Sequence, residues 1–242
     1  MRRVFFAVDG EREIWRNDPE PGYWALVHVN EDGAAAKLVQ RILSGTSEEA
    51  IEFQVCGGEF RRMHTHARES GKPLEALKRS GYEGKLQGTW ALAKDMKCCG
   101  VVVLVDTDRS KPRSRWQELS SVRECAQRAG HEMARWTALG EATRCFEAWV
   151  LGSAESIHEA LGGPPCSLPP SLESQQDPKA LLEQYLSQEG RQRLPASQMY
   201  AEICARARVK EMATRCPVSF APFVEEVIER LGPSFGLDSS AA

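Results

Sequence analysis

The stretch GVVVLVDTDRSKPRSRW, residues 100–116, decides the fold. Its apolar, mostly β-branched run at 101–105 is continuous, which is typical of a parallel strand buried on both faces. Asp106 and Asp108 follow directly, and Arg109, Lys111, Arg113 and Arg115 come next. Ligands of an open α/β sheet bind beyond the carboxyl ends of its strands. The two aspartates are therefore expected at a ligand-binding position.

Strand and helix patterns alternate around this segment. Apolar, β-rich runs predict strands at 2–8, 23–29, 51–58, 101–105 and 131–139. Helical spacing of apolar residues predicts helices at 34–45, in the second half of 74–100, at 114–130 and across most of 141–162. This alternation predicts an α/β fold, with a mostly parallel sheet flanked by helices.

The pattern changes at residues 162–178, which are rich in Pro, Ser and Gly and predict a linker loop. Three helical segments follow, at 178–190, 197–216 and 219–232. We therefore expect an α/β core over 1–161, the linker at 162–178, and a helical C-terminal segment over 179–242 that packs on the core.

Composition narrows the class of protein. The net charge of -3 over 242 residues does not indicate nucleic-acid binding, although a local basic patch remains open. Eight cysteines occur without a CxxC pair, so a zinc site is not favoured. We see no secretory segment and no apolar run of membrane-spanning length, so we expect a cytoplasmic protein with reduced thiols and no membrane partner. The oligomeric state is left open.

The aspartate pair suggests a metal site. In an extended segment Asp106 and Asp108 point to the same side, and two close carboxylates repel each other unless a cation joins them. Such hard oxygen ligands suit Mg²⁺ or Mn²⁺. The alternative is that both aspartates cap the following turn. Glu31 would be a third ligand if strand 23–29 neighbours strand 101–105; otherwise it is an acid favoured at a helix N-terminus.

An acid after one strand and a DxD after another resembles the Toprim domain of topoisomerases, primases and OLD-type nucleases. Further segments, in the same order, resemble the DUF4276 family of Toprim-like proteins. They are RRMHTH (61–66), VVVLVDTDR (101–109), FEAWVLGS (146–153), DPKALLEQYL (177–186) and CPVSFAPFVEEV (216–227). The resemblance implies a Toprim-like, Rossmann-like sheet with a helical C-terminal part, and metal-dependent cleavage of phosphodiesters.

The first motif of that family resembles EGxxE and follows a strand. The best match here is VHVNEDG (27–33), which supplies Glu31. DGERE (9–13), with Asp9, Glu11 and Glu13, is a rival that ranks second, because NDPEPG follows too soon for a good helix. The intact DxD beside displaced acids leaves two functions open: an active nuclease, or an inactive binding or scaffold subunit.

The resemblance implies roles for particular residues. Glu31, Asp106 and Asp108 are the expected catalytic and metal-binding acids, and Glu147, among apolar neighbours, is a supporting metal ligand or a buried, partnered acid. Phosphate contacts are expected from basic side chains: Arg61, Arg62, His64, His66, Arg109, Lys111 and Arg113. The alternatives for these residues are a solvated basic loop at 59–73 and a solvated helix start.

Taken together, these features predict a divalent-metal nuclease, with DNA favoured over RNA as its substrate. The chain has no GxxxxGK[ST] sequence, so it has no evident ATP motor of its own. The family resemblance implies an ABC-type or AAA-type ATPase partner and a role as effector in bacterial defence. The scaffold subunit is the second prediction, and a toxin-like effector acting on RNA or a nucleotide is the third.

Overall fold

The computed structural model describes residues 1–9, 27–29, 33–47, 50–69, 81–107 and 114–237. Within them lie five strands: β1 Arg3–Val8, β2 Val27–Val29, β3 Gln54–Glu59, β4 Gly100–Asp106 and β5 Thr137–Ala142. They form one sheet in the order β2-β3-β1-β4-β5. β3, β1, β4 and β5 are mutually parallel, and β2 pairs antiparallel with β3. The protein is therefore an α/β protein with a four-stranded parallel sheet at its centre.

Eleven α-helices surround the sheet within the described residues. They are α1 Ala34–Ser44, α2 Met63–Glu69, α3 Gly81–Asp95, α4 Arg115–Arg128, α5 Glu132–Arg135, α6 Phe146–Leu151, α7 Ala154–Leu161, α8 Pro178–Leu186, α9 Ala196–Ala205, α10 Val209–Arg215 and α11 Phe220–Leu231.

Both faces of the parallel strands are covered, which explains their continuous apolar sequences. Alternate residues of β4 point to opposite faces. Val102 and Leu104 join the core that contains α1, α9 and α11, whereas Val101 and Val103 join the core that contains α3 and α4. The C-terminal helices are thus part of the first core, where α9 contacts α1 and α11 contacts β5.

The strand order creates a switch point between β1 and β4. After β1 the chain forms the edge strand β2 and then α1, on one face, and returns to β3 on one side of β1. It leaves β4 through α4, on the other face, and reaches β5 on the opposite side. Connections that diverge in this way open a crevice beyond the carboxyl ends of the two central strands, which is where open α/β sheets bind ligands.

Three neighbouring strands, β3, β1 and β4, are paired residue by residue at this end of the sheet. Val8 lies opposite Glu59 of β3 on one side and opposite Leu104 of β4 on the other. Gly57, opposite Phe6, allows β3 to approach β1 closely, because a Cβ there would collide with the main-chain oxygen of Phe6. β3 and β1 therefore end at a common level, and β4 continues two residues further, to Asp106.

Strand β5 is at the outer edge of the parallel part of the sheet, and a buried ion pair covers its main chain. Arg123 of α4 donates to the Thr137 carbonyl at 2.9 Å and pairs with Glu226 of α11. Glu226 also accepts from the Leu139 N–H at 3.4 Å. An uncovered edge strand can pair with another chain; here the two side chains satisfy its polar groups.

The structure corrects several sequence expectations. Residues 132–135 form helix α5, so the strand predicted at 131–139 begins only at Thr137 and runs to Ala142. Met133 and Ala134 are buried, and their apolar character supports a helical turn as well as a strand. The helix expected at 197–216 is two helices, α9 and α10, separated at 206–208, where Ser153 Oγ accepts the Arg208 N–H.

The basic loop expected at 59–73 is helical over much of its described part. A 3-10 turn, Phe60–Arg62, leads into α2. Phe60, Met63 and Ala67 are buried at helical spacing, which holds the segment against the sheet. Among the described residues no helix is long and apolar enough to cross a membrane.

Candidate functional site at the switch point

Two aspartates lie at the switch point. Asp106 is the last residue of β4, and Asp9 directly follows β1, where its N–H donates to the Leu104 carbonyl at 3.0 Å. Both line one small cavity of about 10 Å³, room for a single water-sized group. The structure thus brings together two carboxylates from the two central, adjacent strands.

Arg115 joins the site from the first turn of α4. Its guanidinium pairs with Asp9 Oδ2, and both side chains are 21% exposed. Its main-chain N–H and that of Trp116 donate to the two oxygens of Glu141, at 3.1 and 3.0 Å. Ser114 Oγ accepts from the Gln117 N–H at 3.1 Å. Glu141, from the end of β5, therefore fixes the start of α4 and with it the position of Arg115.

Asp106 also has a structural contact. Its Oδ1 accepts from the Phe146 N–H at 3.1 Å, at the first turn of α6. Asp106 therefore caps α6, which lies much further along the chain than the turn considered from the sequence. A carboxylate that accepts one main-chain N–H keeps further acceptor positions on its oxygens, so the cap does not exclude a second role.

Cys145 lies near both Glu147 and Asp106. Burial, the Glu147 carboxylate, which also bonds the thiol, and Asp106 together raise the pKa of Cys145 to about 12, and burial is the largest of these causes. Glu147 is 6% exposed, and Tyr200 Oη donates to it at 3.5 Å. Of the two interpretations of Glu147, the described contacts fit a buried, partnered acid beside the site.

The condition attached to Glu31 is not met. β2 does not neighbour β4: β3 and β1 lie between them. β2 is also antiparallel to β3, so Val29, its last residue, lies opposite Val55 near the amino end of β3. That end of the sheet is opposite to Asp106. The argument that Glu31 shares an edge with Asp106 was therefore wrong, although Glu31 itself lies outside the described residues.

Other predicted site residues also lie outside the described ranges: Asp108, Arg109, Lys111 and Arg113, together with Glu11 and Glu13 of the rival motif. Their roles stay predictions. Among the residues that the structure does describe, no group of three His, Cys, Asp or Glu side chains is arranged to hold a metal ion. Asp9 and Asp106 alone do not complete a metal site.

The basic residues after β3 start at the same edge of the sheet. Arg61 is exposed and pairs with Glu59, which is 4% exposed at the end of β3. Arg62 and His64 are half-buried, and His66 is buried with Nδ1 3.6 Å from Glu69 Oε2. Arg61 is thus the most accessible of this set, whereas His66 faces the core side of α2.

Sequence reasoning missed Glu141 and placed Asp9 in second rank. Glu141 was assigned to a helix because the start of β5 was misplaced. Asp9 was ranked second because of the turn-rich sequence after it; its position directly after the first apolar strand is what brings it to the same cavity as Asp106. In an open parallel sheet the first strand is commonly central.

Comparison of the chain with family models, with curated proteins and with solved structures finds no match in any of the three. The Toprim resemblance therefore rests on the residues quoted above, and the site rests on its geometry.

Proposed function

We propose that the protein is a Toprim-type, divalent-metal-dependent nuclease that cleaves phosphodiesters at the β1–β4 switch point. The observation that supports this most is the position of Asp9 and Asp106 after adjacent parallel strands, where both line the same cavity. DGERE, rather than VHVNEDG, then takes the place of the first acidic motif. This agrees with the order of acids in the resembled family.

The donor chemistry fits Mg²⁺ or Mn²⁺, because carboxylate oxygens are the ligands these ions prefer. Asp9 and Asp106 would hold the ion, with Asp108 and an acid of DGERE as further ligands. A bound divalent ion would lower the pKa of an attacking water and neutralise charge on the phosphate.

The remaining chemistry belongs to the chain itself. Glu141 holds the first turn of α4 in place, and so keeps the Arg115 guanidinium over the crevice. An arginine in this position can bind a phosphate oxygen through two parallel hydrogen bonds. Arg61, at the end of β3, would contact a neighbouring phosphate. Recognition through such contacts is independent of base sequence.

The decisive test is nicking of supercoiled plasmid by the purified chain with Mg²⁺ or Mn²⁺. We expect metal-dependent nicking that is lost in Asp106→Asn and in Asp9→Asn. Glu52→Gln is the matched control, since Glu52 is an exposed acid at the opposite, amino end of β3. Equal loss of nicking in Glu52→Gln would show that the two aspartates have no specific role in cleavage.

A second candidate is a Toprim-fold binding or scaffold subunit without catalysis, acting with an ATPase partner. The Asp9–Arg115 pair favours it, because a guanidinium already neutralises one of the two acids. The same preparations separate the two functions. Calorimetry that detects no Mn²⁺ binding sensitive to Asp106→Asn, together with absent nicking, would establish the scaffold and reject the nuclease.

A further inference from the structure

A cleft of about 400 Å³ adjoins the switch point on the β5 side. It lies between the first turns of α4 and α11, and Thr107, which directly follows Asp106, lines it. Sites for small organic ligands are commonly of this size. A group bound in the cleft would therefore be continuous with a phosphate held at the aspartates.

The walls of the cleft are apolar and partly open to solvent. Trp116 of α4 is half-buried, whereas Val218 and Pro222, around the start of α11, are exposed. Val218 is 75% exposed, and among the described residues only Met1 is another large apolar side chain exposed to this degree. An indole ring beside such a gap offers a face on which a flat ring can stack.

The polar groups in the cleft are acceptors and hydroxyls. Ser114, Thr143 and Glu141 line it, and Glu141 is the one charged residue among its lining residues. The carboxylate has a fixed direction because both of its oxygens accept main-chain N–H groups from α4. Carboxylate oxygens have more than one acceptor position each. A negatively charged cleft disfavours a phosphate and favours a neutral ligand with N–H donors.

We infer that this cleft binds a nucleobase bearing an exocyclic amino group, next to the phosphate that the aspartates would act on. The base would stack on Trp116 and donate its amino group to Glu141. Cytosine and adenine present such a donor, whereas thymine presents a carbonyl oxygen in its place. The inference rests on the proposed function. It adds a base preference to a site whose other expected contacts are with phosphates.

The test is equilibrium binding of short single-stranded oligo-dC, oligo-dA and oligo-dT of equal length, in EDTA so that no cleavage occurs. We expect oligo-dC and oligo-dA to bind about tenfold more tightly than oligo-dT. Trp116→Ala should weaken the binding of all three about tenfold, because the stacking platform is lost. Glu141→Gln should abolish the preference against oligo-dT.

Trp136→Ala is the matched control, because Trp136 is also half-buried but directly precedes β5 at the other end of the sheet. It should bind as the unaltered protein does. Thermal unfolding of every variant shows whether Glu141→Gln has disturbed α4. Free cytidine and dCMP form a further arm: binding of either without binding of oligo-dC would identify a free nucleotide, and overturn the strand-bound base.

Nicking assays on the same preparations keep the two proposals separate. Metal-dependent nicking with equal oligonucleotide affinity in Trp116→Ala and the unaltered protein would overturn the cleft and leave the nuclease standing. Binding that depends on Trp116 and Glu141 without nicking would support the cleft and reject cleavage.

Discussion

Arg115 and Arg123 lie on the same helix, α4, and each pairs with a carboxylate from another element. Arg123 and Glu226 are 3% and 12% exposed, and both also bond the main chain of β5. Arg115 and Asp9 are each 21% exposed, at the mouth of a crevice. The first pair is buried, and its side chains stabilise the main chain of the edge strand β5. The second is more exposed and lies at the small cavity that Asp9 lines, so the two pairs differ in their surroundings rather than in their chemistry.

The largest effect is expected from breaking the enclosed pair. Glu226→Ala leaves the Arg123 charge buried without its partner, and should lower the free energy of unfolding by about 3–5 kcal/mol. Urea denaturation measures this. Arg128→Ala, at an exposed position on the same helix, is the control and should change it little. If Glu226→Ala lowered the free energy of unfolding as little as Arg128→Ala does, Arg123 would not be a buried charge that depends on Glu226.

A smaller effect on stability is expected from the open pair. Arg115→Ala should cost no more than about 1 kcal/mol, because partly exposed ion pairs contribute little. It should instead raise the affinity for Mn²⁺, since the guanidinium no longer competes for Asp9. Titration calorimetry measures the affinity, with Arg128→Ala again as control. Unchanged Mn²⁺ affinity would indicate that Asp9 is not a ligand.

The smallest effect concerns the Cys145 thiol. Its pKa is raised to about 12 by burial, with Glu147 and Asp106 contributing. The folded protein therefore favours the neutral thiol: this contribution to stability is complete below the ordinary thiol pKa and is lost as the pH rises from there toward about 12. Alkylation by iodoacetamide should be slower at Cys145 than at exposed Cys125.

Asp106→Asn removes one of these negative charges and should lower the pKa of Cys145, which speeds its alkylation at a fixed pH. Peptide mass spectrometry reads both cysteines in one sample, so Cys125 serves as the internal reference. An alkylation rate at Cys145 that is unchanged in Asp106→Asn would show that the charge of Asp106 does not affect the pKa of the thiol.

The α/β class followed from the sequence because buried parallel strands have a distinctive composition, as VVVLV shows. Asp106 was located for the same reason: it ends that strand. The neighbour of β4 could not be read in this way, since strand order depends on which face each crossover takes. That is why Glu31 was preferred to Asp9 on the strength of local spacing alone.

Contacts between residues that are distant in the sequence could not be predicted either. Glu141 of β5, which accepts from α4, and Glu226 of α11, which accepts from β5, are ordinary acids in their own patterns, and nothing local marks their partners. Their roles appear only once α4, β5 and α11 are packed together.

The switch point has a consequence for when the candidate site is assembled. Its two aspartates come from the first and fourth strands, and β1 pairs with β4 only after the chain has crossed to β3 and returned. Contacts between distant segments form slowly, because the entropy of closing the chain must be overcome first. During synthesis, a ribosome-bound chain that ends before β4 would carry no paired acids. If the chain is the nuclease that we propose, it would therefore have no assembled site until β4 has joined the sheet.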